Sequence, residues 1–195
     1  MEKKMKTIKK LFAALAAMTV VLAASAQDEK NVRLATAYRT SGIYVFADND
    51  PIGDYEVIEQ KKTGMTWSGS YEEVKSKVLK KVAKENPSAD GVILNLTNDQ
   101  LIDKSQVAII RYKDDNKEKK GKTLVNRING LCVFADCEPD CDYTILGREK
   151  VHVSWSSQYA ELRDIVLKKA VKKYPEAEGV ILNSHGDQGV IIKFK

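Results

Sequence analysis

The stretch GIYVFAD at residues 42–48 returns 88 positions later as GLCVFAD at residues 130–136. The offset continues without a gap. Pro51 faces Pro139, Asp54 and Tyr55 face Asp142 and Tyr143, and Trp67 and Ser68 face Trp155 and Ser156. Tyr71 faces Tyr159, Pro87 faces Pro175, and Gly91–Asn95 faces Gly179–Asn183. About 25 of the 54 positions from Gly42 to Asn95 are identical, which marks an internal duplication. The closing apolar segments, Val107–Lys113 and Gly189–Lys195, align at an offset of 82, so the second copy lacks six residues in the loop before its last strand.

Each copy reads as strand, strand, helix, strand, strand. The first strand is Ile43–Ala47 or Leu131–Ala135, ended by Asp and a proline turn. A longer extended stretch follows, about Tyr55–Trp67 and Tyr143–Trp155. In the second copy Tyr143, Ile145, Val151 and Val153 are expected on one face; in the first, Gln60–Gly64 interrupts the alternation and suggests a bulge or a bend. Tyr71, Val74, Val78 and Val82 recur at helical spacing, as do Tyr159, Leu162, Val166 and Ala170. Ser68 or Ser70 suits a cap for the first helix, and Pro87 and Pro175 stop the two. Buried strands Gly91–Leu96 and Gly179–Asn183 come next, then Gln106–Tyr112 and Gly189–Phe194. The expected fold is α+β, a tandem duplication of a ββαββ unit, each an antiparallel or mixed sheet with one packed helix.

Residues 1–26 look like a signal peptide: a lysine-rich start, an apolar run from Leu11 to Ala24, and the small-x-small site Ala24-Ser25-Ala26. The rest divides into a first repeat (27–112), a polar linker (113–123) without an apolar side chain up to Lys122, and a second repeat (124–195). At 70–80 residues each repeat is near the lower limit for an independent core, so the copies either fold separately or pack their sheets together. The 195-residue chain has a formal charge of +5, of which the leader carries +4. A nearly neutral remainder argues against a nucleic-acid partner. The expected location is periplasmic or secreted, with no stable membrane anchor.

The helical lysines (Lys75, Lys77, Lys80, Lys81, Lys84 and their counterparts) read as a solvated face whose distribution suits the helix dipole. Asp48, Asp136, Asp54 and Asp142 read as turn residues, with acid/base or cation chemistry as the alternative. Trp67, Trp155, Tyr71 and Tyr159 read as packing between helix and sheet. Asn95-Leu96-Thr97 matches a glycosylation triplet. There is no Gly-rich phosphate loop, HExxH, GxSxG or EF-hand pattern.

One cluster is asymmetric. All three cysteines and both histidines (Cys132, Cys137, Cys141, His152, His185) fall in the second copy. Thiolate and imidazole suit Zn or Cu, which makes Cys137, Cys141, His152 and His185 candidate metal ligands. In an oxidising compartment a Cys137–Cys141 disulfide closing the proline turn is the favoured reading, and no cofactor is otherwise implied. Cys132 reads as a small buried thiol.

The run from Phe134 to Gly147, then Leu162–Lys173 and Ala177–Leu182, resembles uncharacterised exported bacterial tandem-domain proteins and small envelope domains of the heavy-metal-binding type. The resemblance implies the small α+β fold. The functional expectation is a non-enzymatic exported protein that binds or scaffolds an envelope protein or small ligand. The alternatives are metal handling through the second copy's Cys/His cluster, and a hydrolase built around Asp136 or Asp142 in a pocket shared by the copies.

Overall fold

A computed structural model of the chain describes residues 33–62, 71–94, 106–113, 119–152 and 159–195. The leader, Trp67, Trp155, Val153 and the triplet at Asn95 lie outside the described residues.

The first copy contains β1 (Leu34–Ala37), β2 (Arg39–Thr40), β3 (Ile43–Ala47), β4 (Asp50–Pro51), β5 (Tyr55–Lys62), helix α1 (Tyr71–Glu85), β6 (Gly91–Leu94) and β7 (Gln106–Tyr112). The second repeats the set: β8 (Lys122–Leu124), β9 (Arg127–Ile128), β10 (Leu131–Phe134), β11 (Cys137–Pro139), β12 (Tyr143–Lys150), α2 (Tyr159–Lys173), β13 (Gly179–Leu182) and β14 (Gln188–Phe194). The fold is α+β. Each copy builds a five-stranded sheet of the same order, β2-β3-β6-β7-β5 and β9-β10-β13-β14-β12. Only β3–β6 and β10–β13 run parallel in these sheets; the other pairs are antiparallel.

A third sheet, β11-β1-β8-β4, joins the copies. Its central pair has the register Leu34↔Leu124, Ala35↔Thr123, Thr36↔Lys122. Exchanging the copies at the 88-residue offset maps this register onto itself, so a local two-fold axis passes by Ala35 and Thr123. The outer strands are exchanged. Strand β11 of the second copy pairs with β1 of the first (Ala37↔Cys137, Thr36↔Glu138), and β4 of the first pairs with β8 of the second (Asp50↔Leu124, Pro51↔Thr123). Residues 119–123, read from sequence as linker, thus include part of a central strand, and Arg33–Lys195 forms one compact unit.

The inner face of the joining sheet carries Ala35, Ala37, Thr123 and Val125, all buried. Ala37 packs with Phe46, Ile110 and Tyr112 of the first copy; Ala35 and Val125 pack with Cys132, Phe134 and Ile192 of the second. Phe46 and Phe134 are equivalent positions, 1% and 0% exposed, and each buried ring contributes about 1.5–3 kcal/mol. The opposite faces of the five-stranded sheets, with Val45, Ala47, Val92 and their counterparts Val133, Ala135 and Val180, meet the helices in a cluster that spans both copies.

Two expectations change. The stripe that α1 buries is Tyr71, Lys75, Leu79 and Val82, so the helix is rotated from the Val74–Val78 reading, and Lys75 leaves the solvated face. The bulge in β5 lies between Val57 and Glu59, with regular pairing from Glu59 to Lys62, and β12 has the matching one between Ile145 and Gly147; Thr63 and Gly64 lie outside the described residues. A bulge adds one residue and reverses which face later side chains take. Tyr143 therefore packs against the Phe134 cluster while Leu146 and Val151 pack on the helix side, so Tyr143, Ile145 and Val151 do not share a face.

Candidate functional site

Asp48 and Asp136 follow strands β3 and β10 and adopt φ of 56° and 51°. Aspartate tolerates this left-handed region better than most residues, and the sharp turn sends the chain across to the other copy's half of the joining sheet. Each carboxylate then meets the other copy's helix. Asp136 accepts hydrogen bonds from the Tyr71 hydroxyl and, at 3.1 Å, from Lys75 Nζ of α1. Asp48 accepts one from the Arg163 guanidinium of α2. At the 88-residue offset Lys75 is the counterpart of Arg163 and Tyr71 of Tyr159, so this is one ion pair made twice, crossed between the copies.

The side chains of Lys75 and Arg163 are 7% and 8% exposed, those of Asp136 and Asp48 9% each. Glu72 stands 2.7 Å from Lys75 Nζ, and Asp164 3.1 Å from Arg163 Nε. Burial pulls the Lys75 ammonium pKa down, but Glu72 and Asp136 outweigh it and the net shift is upward; Asp48 and Asp164 do the same for Arg163. The Tyr71 and Tyr159 rings meet with centroids 4.8 Å apart and planes tilted by 37°. Burial, reinforced by the carboxylates, holds both phenols well above their ordinary pKa. The symmetry is broken at Tyr159, whose buried hydroxyl has no hydrogen-bond partner. Nearby, Asn49 Nδ2 donates to Ala135 O at 3.4 Å and lies 3.5 Å from Sγ of Cys137, its own counterpart.

Beside this junction the first copy has a hollow of about 340 Å³, lined by Thr40, Ser41, Glu72, Lys75, Ser76, Leu79, Lys80 and Ala83. The offset aligns these with Ile128, Asn129, Ala160, Arg163, Asp164, Leu167, Lys168 and Val171. Where the second copy has Ile128, which packs against its core, the first has the smaller, hydroxyl-bearing Thr40.

The Cys/His cluster does not assemble. Cys132, Cys137 and Cys141 are free thiols, which corrects the expected Cys137–Cys141 bridge. The reason is the strand exchange: Cys137–Pro139 runs extended against β1 instead of closing a tight turn, and the Cys137 thiol enters the apolar cluster under the joining sheet. Burial pushes the Cys137 pKa strongly upward. Cys132 is fully buried on β10 and Cys141 half-buried after the turn. Cys141 precedes β12 and His152 follows it, so the eight-residue strand separates them by roughly 25 Å at the usual rise. His185, exposed, lies in the loop before β14, near the His152 end of the sheet. Among the described residues no group of three His, Cys, Asp or Glu side chains is placed to hold a metal ion. The aspartates suggested for acid/base chemistry are also separated in kind: Asp136 is ion-paired and enclosed, whereas Asp142 is exposed.

Sequence reasoning missed Lys75 and Arg163 as partners of the strand-end aspartates. No signal within the repeat singled them out, because a cation is also kept at Lys80 and Lys168, Lys81 and Lys169, and Lys84 and Lys172. Among the described residues no helix is long and apolar enough to cross a membrane. Comparison with protein-family profiles, curated proteins and solved structures finds no match to this chain.

Proposed function

We propose that this protein is an exported, non-enzymatic binding or scaffold protein of the cell envelope. The observation that carries this reading is the use made of the duplicated charged groups. Asp48, Asp136, Lys75 and Arg163 are charged residues that the duplication repeats at the junction, and each is engaged in joining the copies. Groups committed to buried, crossed ion pairs are positioned as structure, leaving recognition to the surface and to the hollow beside α1. The leader supports export, and the neutral remainder of the chain supports a partner other than nucleic acid.

Cell fractionation followed by mild cross-linking and affinity capture of a C-terminally tagged chain tests the reading. The expected result is a processed chain beginning near Gln27 in the envelope or medium, cross-linked to a reproducible partner. A chain retained unprocessed in the cytoplasm would overturn export. Recovery of bait alone, together with hydrolysis of an envelope substrate, would overturn the non-enzymatic reading.

A further inference from the structure

The hollow beside α1 belongs to the first copy, and its lining has a definite chemistry. Thr40 ends β2 and Ser41 opens the turn to β3; Glu72, Lys75, Ser76, Leu79, Lys80 and Ala83 come from one side of α1. Three hydroxyls offer both donors and acceptors. The charges balance: Lys75 and Lys80 are matched by Glu72 in the wall and Asp136 directly behind Lys75. Lys75 is fixed from both sides, by Glu72 at 2.7 Å and Asp136 at 3.1 Å, and is buried to more than nine-tenths. Leu79, 4% exposed, supplies an apolar floor. The volume, about 340 Å³, lies at the small end of the range of small-molecule sites, about 300–1,000 Å³.

Neither an anion nor a cation gains from a balanced lining. A neutral molecule rich in hydroxyl groups does, because each of its groups can both donate and accept while its C–H face rests on Leu79. The geometry points to this hollow as a binding site in the first copy for a small neutral polyhydroxylated ligand, a saccharide unit or polyol. The second copy lacks the complementarity: Ile128 stands where the first has Thr40, Ala160 where it has Glu72, and Asp164 puts a charge where Ser76 has a hydroxyl. Since Ser41, Ser76, Lys80 and Ala83 are exposed, the site is open on one side. It therefore admits either a free monosaccharide or the end of a glycan, with affinity in the millimolar range, about 1–10 mM.

The test is an amide-resolved NMR titration of the chain from Gln27 to Lys195 with methyl glucoside, N-acetylglucosamine and a neutral hexasaccharide. Gluconate and glucosamine serve as charged counterparts. The expected result is saturable shifts at residues 40–42 and 75–83 with at least one neutral sugar, stronger than with either charged analogue. Saturation by the hexasaccharide alone identifies a glycan end; saturation by monosaccharides identifies the free unit. The double substitution Thr40→Ile with Ala83→Val, which copies the second repeat into the first, should weaken binding at least tenfold. Ser76→Asp, at an exposed position that leaves the fold intact, should do so independently. Tighter binding of gluconate or glucosamine would overturn the ligand class. Absence of saturable shifts, or shifts unchanged by both variants, would overturn the site.

Discussion

The crossed ion pairs make a prediction that distinguishes this architecture from two repeats folded side by side. Replacing Asp48 by Asn leaves the Arg163 guanidinium, 8% exposed, without its full counter-charge. Removing one partner of a buried pair costs about 3–5 kcal/mol. Arg163 retains Asp164 at 3.1 Å, whose side chain is 30% exposed and therefore a weaker substitute, so the loss should fall to about 2–4 kcal/mol. Asp136→Asn should cost less, because Tyr71 can still donate to the amide oxygen and Lys75 keeps Glu72 at 2.7 Å. The assay is urea unfolding of single and double variants arranged as thermodynamic cycles, with Arg163→Met and Lys75→Met as the second members. The cross-copy cycles, Asp48 with Arg163 and Asp136 with Lys75, should give coupling energies of about 1.5 kcal/mol or more. The same-copy cycles, Asp48 with Lys75 and Asp136 with Arg163, should stay below about 0.5 kcal/mol. Strong coupling within copies and weak coupling between them would refute the exchanged arrangement.

Gly121 has φ of +81° and a Cβ there would stand 2.4 Å from the Tyr44 ring, so Gly121→Ala should destabilise by about 1–3 kcal/mol in the same urea assay. The alkaline limit of stability follows from groups whose folded pKa is raised. Tyr71, Tyr159, Tyr112 (up to about 12, mainly by burial) and Lys75 lose protons more readily when unfolded. Their stabilisation is complete below pH 10 and is lost as pH rises through the folded values, at up to about 1.4 kcal/mol per pH unit for each group, as pH-dependent unfolding will show. Thiol titration of unreduced protein should count three thiols after denaturation, with half-buried Cys141 reacting first and Cys132 and Cys137 only on unfolding; a count of one would restore the disulfide.

The duplicated core was legible because its signals are local. The strand-ending Asp, the helix-stopping Pro and the Gly-Val-Ile-Leu run each state their structure within a few residues, and they recur. The strand exchange was not legible. Strands β1 and β8, LATA and KTL, share no identity under the 88-residue offset, and a strand of three or four residues does not name its partner. Lys75 was misread for a related reason: among five lysines on one helix, only a carboxylate from the other copy distinguishes the buried one. The bulge at Leu146 escaped detection and the one at Ile58 was expected further along the strand, because one inserted residue in an eight-residue strand leaves the composition unchanged while reversing the faces. The Cys/His cluster failed as a site because nearness in sequence was stretched out along β12.

The exchanged joining sheet also governs the order in which the molecule can be completed as it emerges. Strand β1 cannot gain its outer neighbour until Cys137–Pro139 has been made, about 100 residues later, or roughly 5–20 s at ordinary rates of synthesis. Throughout that interval Asp48 has no Arg163 and the inner edge of the first copy stands open. The amino-terminal half therefore cannot lock before the carboxy-terminal half arrives, and the two halves are completed together rather than in turn.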